Sequence, residues 1–222
     1  MDKKKCSMKI LFFSPFSNII EHSIPETLLV KEILKNGKNN VVRVYCDSLF
    51  DSFCTSMECL KLSIQNDTSD KKSVCIQCRK VSKSLSQLNG LNSIPISKFL
   101  SNNKILEINN YIEKLQIENF TFESDHFLSE DLKKKSLYET ILKFKLKDLK
   151  LNKEQFDYYK TKLKVSLYSY YSGVNIAKET LFDSMVVYSP QYEINNFFCE
   201  GINSVKKIKT YFIEGSENVY LK

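Results

Sequence analysis

The stretch that decides the fold is Met8-Lys9-Ile10-Leu11-Phe12-Phe13-Ser14-Pro15-Phe16-Ser17, continued through His22-Ser23-Ile24-Pro25-Glu26-Thr27-Leu28-Leu29-Val30 to Ile33 and Gly37. The apolar run Ile10 to Phe13 does not alternate, which predicts a strand covered on both faces, as in a parallel sheet. Ser14-Pro15 ends it. A helix follows, with Ser23 as N-cap and Glu26 at the capping-box spacing, and with Pro25 in the first turn, where its missing N–H is harmless. Leu28, Leu29 and Ile33 are expected to face inward, and Gly37 to close the helix in the left-handed conformation. Val41 to Tyr45 makes a second strand, and strand, helix, strand within about forty residues is the length of a crossover unit.

The far end of the chain repeats this grammar. Phe182 to Tyr188 reads as a strand, Pro190 to Glu200 as a short helix closed by Gly201, and Ile208 to Ile213 as a last strand running into Glu214-Gly215-Ser216. Between the two ends lies a helical insertion over residues 101–150, with Ile105, Ile108, Ile112 and Leu115 at helical spacing, then Leu137, Ile141, Phe144 and Leu149. Its connector, Asn119 to Phe127, carries His126, expected to be exposed and without function. A longer helix is expected after Asn152, an N-cap followed by Glu154 and Gln155, with a break between Gly173 and Thr180. The fold class is therefore α/β: one open, Rossmann-like parallel sheet over residues 1–222, with a helical insertion and a Cys-rich segment.

At 222 residues with 42% hydrophobic side chains, the chain suits one domain with an ample core. No apolar run approaches the roughly twenty residues that span a bilayer. Lys3, Lys4 and Lys5 precede an apolar run, but it is short, contains Ser14 and Pro15, and leads to Glu21 and His22 without a cleavage site, so it is not read as an export signal. The expectation is a cytoplasmic protein, membrane-peripheral at most. The net charge of +7 comes almost wholly from Lys interleaved with Glu, Asp and Asn, and Arg stands only at 43 and 79. That argues for a solvated surface and against a nucleic-acid partner, since nucleic-acid readers lean on clustered Arg.

Five of the seven cysteines fall within residues 46–80. Cys75-x2-Cys78 has the spacing of a ligand pair in which two thiolates meet one ion, and Cys54 and Cys46 complete four, with Cys59 as an alternative. Zinc is the default ion and an iron–sulfur cluster shares the ligand set. Buried free thiols or a redox pair are the competing readings. The segment would be stapled by a structural site, because four thiolates leave no open position.

With these residues in place, the sequence resembles the N-terminal half of glycosyltransferases of the two-Rossmann-domain (GT-B) kind, from bacterial surface-polysaccharide synthesis. The matching parts are the opening Met8 to Pro15, His22-Ser23-Ile24-Pro25-Glu26, Cys54 with Met57, Cys75-x2-Cys78, and near the end Phe182-Asp183 to Tyr188, Tyr192 and Glu200-Gly201-Ile202. The resemblance implies an acceptor-side domain for a glycan or glycolipid, with a second Rossmann domain or subunit supplying the nucleotide-sugar site. No phosphate loop can be built from glycines that stand alone at 37, 90, 173, 201 and 215. A non-catalytic, metal-stapled binding or assembly subunit is the alternative, and a nucleotide-utilising enzyme of another type the third.

His22 falls near the carboxyl edge of the sheet, where open α/β proteins collect ligands, and the resemblance makes it the catalytic base, with Glu26 as the second candidate. Both have plain structural roles available, in loop bonding and capping. Ser14, Ser17, Ser23 and Tyr188, at the same edge, are the substrate-binding candidates. Tyr168, Tyr170 and Tyr171 could stack on a sugar ring, though packing is the simpler role.

Overall fold

The computed structural model describes residues 7–35 and 37–214. Its centre is a sheet of five strands, β1 (Lys9–Ser14), β2 (Asn40–Tyr45), β3 (Asn92–Pro95), β4 (Ser184–Tyr188) and β5 (Lys209–Ile213), all parallel, in the order β3-β2-β1-β4-β5. The expected pairing of the two ends holds, with Ile10 opposite Val41 on one side and opposite Ser184 on the other. The expectation that β1 is covered on both faces also holds. Leu11 and Phe13 enter the larger core, where Phe13 stacks on Phe198 at 3.8 Å, while Ile10 and Phe12 enter a smaller one with Val30, Val41 and Val186.

Helix α1 (Ile20–Leu34) covers the smaller core, and α3 (Thr68–Asn89) lies beside it after the single turn α2 (Thr55–Cys59). Helices α4 (Asn102–Lys114), α5 (Glu130–Lys135) and α6 (Tyr138–Phe144) form the middle of the chain. They lead to α7 (Lys153–Glu179) and, after β4, to α8 (Glu193–Val205), which pack along one another on the larger core. Asn152 caps α7 as read from the sequence, and it exchanges the two bonds of a capping box with Gln155. Gly90 ends α3 at φ +60°, a conformation that favours glycine.

Several local expectations fail for identifiable reasons. Helix α1 begins three residues before Ser23, whose hydroxyl caps nothing, and Pro25 lies inside the helix, six residues in. The helix buries His22, Ser23, Glu26 and Val30 and leaves Ile20, Ile24, Leu28 and Leu29 exposed, so Leu28 and Leu29 turn outward against expectation while Ile33 packs on the smaller core as expected. Gly37 is left-handed but stands beyond the helix end. Helix α7 runs unbroken through Gly173, and Gly201 sits inside α8 instead of closing it. Both glycines mark close approach: a Cβ on Gly173 would lie 2.5 Å from the Phe198 carbonyl oxygen, and one on Gly201 would overlap that of Tyr170. The extension into Gly215-Ser216 lies outside the described residues.

Candidate active site

The strand order reverses between β1 and β4, and in open parallel sheets the crevice beyond the carboxyl ends at that reversal is where ligands bind. Ser14 ends β1 and Tyr188 ends β4, so both candidates lie at that edge of the sheet, where both are buried. His22, in the second half-turn of α1, stacks on the Tyr188 ring at 3.8 Å and lies against Tyr192 at 5.2 Å. Burial pulls its imidazole down to about 4, only partly offset by Glu21, so His22 is neutral at pH 7.

One turn further along α1, Glu26 accepts a hydrogen bond of 2.5 Å from the Ser14 hydroxyl. Burial pushes the Glu26 carboxyl up to about 7, while the Ser14 bond and the charge of Arg43 pull the other way. Arg43, 4% exposed on β2, donates to the Ser17 hydroxyl at 2.6 Å, to the Ser82 hydroxyl at 2.8 Å and carbonyl at 3.1 Å, and to Ser86 at 3.2 Å. Ser14, Glu26 and Arg43 line one small cavity under α1. A serine hydroxyl bonded to a carboxyl that burial raises toward neutrality is an arrangement in which the hydroxyl could pass its proton to the carboxyl. Ser23 stays apart from this set, its hydroxyl turned back to the Ile20 carbonyl at 3.5 Å.

Beyond β4 the sequence had announced nothing of what the fold assembles. Lys162 of α7, wholly buried, forms an ion pair with Glu139 of α6 and lies 4.0 Å from Glu58. Glu139 and Glu193, near the N-termini of α6 and α8, each accept the other's backbone N–H, at 2.8 and 3.0 Å. Burial alone would discharge Lys162, but the Glu139 and Glu193 carboxylates outweigh it and raise its pKa. These residues are far apart in sequence and sit on helices whose facing sides no periodicity announces. Arg43 carried the one available clue, a charge in the middle of the apolar run Val41 to Val44.

The four predicted cysteine ligands converge on one small cavity, lined by Cys46, Cys54, Cys75 and Cys78. The ligand knuckle is absent, because Cys75 and Cys78 lie one turn apart inside α3. Among the described residues no three His, Cys, Asp or Glu side chains are grouped to hold a metal ion. Burial raises all four thiols, Cys54 to about 12. None of the four is in a disulfide, and among the described residues the metal-stapled segment is not found. Tyr168, whose hydroxyl donates to Asn109 at 2.6 Å, is in the core, with Tyr170 and Tyr171 packed against it. His126 is exposed, as expected.

A groove of about 690 Å³ runs along α3 beside β3, lined by Tyr45, Arg79, Lys80, Lys83, Ser86 and Ser93 among others. Interleaved in sequence, these cations share one groove in space.

No protein-family profile matches the chain, and no curated protein matches it. Solved structures do. A CDPS, or cyclodipeptide synthase, from Fluoribacter dumoffii superposes with a TM-score of 0.56 at 9% identity, over 92% of this chain and 88% of that one. AlbC, a cyclodipeptide synthase from Streptomyces noursei, superposes with a TM-score of 0.52 at 12% identity, over 93% and 95%. The fold is that of the cyclodipeptide synthases. The likeness covers nearly the whole of both chains, including the helical middle that the glycosyltransferase resemblance skipped. It overturns that resemblance, and with it the acceptor-side function and the glycan or glycolipid acceptor. The opening strand, Ser-Pro turn and helix that carried the resemblance belong to open α/β folds in general, and the cyclodipeptide-synthase fold shares them. Among the described residues no helix is long and apolar enough to cross a membrane.

Proposed function

We propose that the chain is an acyltransferase that joins two activated aminoacyl esters into a cyclodipeptide, with Ser14 as nucleophile and Glu26 as its base. The observation that carries this reading is the Ser14–Glu26 hydrogen bond at the carboxyl end of β1, on a fold shared with cyclodipeptide synthases. The Ser14 Oγ bonds to the carbonyl carbon of the first ester as the bond to its carrier oxygen breaks. The hydroxyl proton passes to Glu26 and from there to the departing oxygen. The α-amine of the acyl group on Ser14 then attacks a second ester and releases the second carrier. The new terminal amine attacks the Ser14 ester, which closes the ring and returns a proton to Ser14.

The net charge of +7 and the groove with Arg79, Lys80 and Lys83 favour an anionic carrier, an aminoacylated tRNA, in place of the earlier expectation of no nucleic acid. His22, neutral and stacked on Tyr188, orders the crevice wall instead of supplying the base.

A second reading is favoured by burial. Ser14 is 3% exposed, and the Ser14–Glu26 and Arg43–Ser17 bonds also brace β1, β2, α1 and α3 as a purely structural network. The two readings separate when the purified chain is incubated with a mixture of charged tRNAs and followed by intact-mass and small-molecule mass spectrometry. An aminoacyl adduct on Ser14 and cyclodipeptides in solution, both lost in Ser14→Ala, are the expected result. A chain that acquires no adduct with any charged tRNA, and whose Ser14→Ala variant loses stability alone, leaves the structural network as the answer.

A further inference from the structure

Beside Tyr188 lies a groove of two lobes, about 400 and 460 Å³, which share Tyr138 and Gln191. The lobe that holds Tyr188 is walled by Tyr138, Tyr188 and Tyr192 together with Glu139 and Glu214, and among the described residues no basic side chain lines it. Aromatic faces beside carboxylates are the surroundings that hold an organic cation, through ring quadrupoles and charge together. In the farther lobe Glu193 lines the wall, 1% exposed, with an Oε2 atom that has no hydrogen-bond partner among the described residues. Asn196, on the same wall, likewise leaves its Oδ1 without a donor.

The charges nearby do not balance. Glu58, Glu139 and Glu193 face Lys143 and Lys162, so three carboxylates meet two ammoniums. Lys143 pairs with Glu58 at 2.9 Å and Lys162 pairs with Glu139, which among the described residues leaves Glu193 as the carboxyl without a cation within ion-pair distance. The two lysines on the farther rim are occupied: Lys135 by Asp131 at 2.8 Å and by Glu200 at 2.5 Å, and Lys134 by Glu130. An unpartnered buried carboxyl oxygen is costly unless a donor meets it, and a ligand ammonium brings three N–H donors and the missing charge. Burial and the neighbouring Glu139 push the Glu193 carboxyl well above the usual carboxylate range, which a bound cation would reverse.

We propose that this groove binds a primary amine, and that within the acyl transfer proposed above it selects an amino acid with an ammonium-bearing side chain, of the lysine or ornithine kind. The selection rests on that acyl-transfer reading; the amine site itself does not. The ring faces of Tyr188 and Tyr192 flank the methylene stem, and Glu193 receives the ammonium.

The test is titration calorimetry of the full chain with lysine methyl ester and with norleucine methyl ester, which has the same stem and no side-chain ammonium. Lysine ester is expected to bind at least ten-fold more tightly, and Glu193→Gln to remove that preference while leaving norleucine ester unchanged. Equal affinity for the two esters, or a preference that survives Glu193→Gln, overturns the inference. Should Glu193→Gln fail to fold, Tyr138→Ala on the exposed rim is expected to cut the preference about five-fold, and an unchanged preference there overturns the inference equally. Ser14→Ala separates the two proposals. A lysine preference kept in that variant, with no cyclodipeptide formed even by the unaltered chain, refutes the acyl transfer and leaves the amine site standing.

Discussion

At the scale of single residues, two buried titrating groups act on stability with opposite sign. Glu26 rises from 4.5 when unfolded to about 7 in the fold, so the folded state holds its proton more tightly. Its contribution is intact below pH 4.5 and is lost as pH rises to about 7, on the order of 3 kcal/mol across the window. Glu26→Gln should flatten that slope in urea melts recorded from pH 4.5 to 7. His22 falls from 6.5 to about 4, so its contribution is intact above pH 6.5 and is lost as pH drops toward 4. Lys162 poses a different problem, because Glu139 and Glu193 both depend on it. Lys162→Met should cost about 3 to 5 kcal/mol by leaving carboxylates buried and unpaired. Adding Glu139→Gln should recover part of that loss, and denaturant midpoints of the two variants decide it. Ser14, Glu26, His22 and Tyr188 were legible as site candidates because they flank the ends of strands that pattern alone locates. Lys162, Glu139 and Glu193 were not, because each lies on a different helix and a charge in a polar sequence gives no sign of being buried.

At the scale of elements, α1 and the α7–α8 pair show what periodicity misses. The sequence of α1 offers two stripes, an apolar one through Ile20, Ile24 and Leu28 and a polar one through His22, Ser23 and Glu26, and the fold buries the polar stripe. The hydrophobic effect at that position yields to the hydrogen bonds of Ser14 and Glu26. Leu28→Lys should therefore change stability by no more than about 0.5 kcal/mol, whereas truncating a buried residue of the same helix, as in Val30→Ala, should cost about 1 to 3 kcal/mol. Thermal melts of the two variants make the comparison. In the α7–α8 pair, glycines that read as helix stops are contact points between backbones. Gly201→Ala should destabilise by about 1 to 3 kcal/mol or more and exceed Gly173→Ala, since both Cβ atoms would meet backbone and the one on Gly201 would press closer on the Tyr170 carbonyl than the one on Gly173 does on that of Phe198. The Asn152 cap, by contrast, was readable in full, because the signal and the structure it produces lie within four residues.

At the scale of the whole molecule, parallel pairing brings β1 and β4, separated by some 170 residues, into one crevice. Beside β3, a short stretch of α3 presents Arg79, Lys80 and Lys83 to one groove. If an aminoacylated tRNA is the carrier, Arg79→Gln and Lys83→Gln should weaken its binding about equally for different tRNAs. Each should also lower the slope of log affinity against log salt by roughly one. Filter binding at several salt concentrations measures both.

The sequence by itself determined the open parallel sheet, because runs that fail to alternate and the caps between them are local consequences of residue order. It also located the sheet edge where a site must lie. Only the tertiary structure decided which α/β fold this is, which face of α1 turns inward, that Cys46, Cys54, Cys75 and Cys78 meet at one small cavity, and that among the described residues Glu193 is left without a cation in the groove beside Tyr188. Those outcomes depend on side chains distant in sequence meeting across layers, and the energy of such meetings is written in no single stretch of the chain.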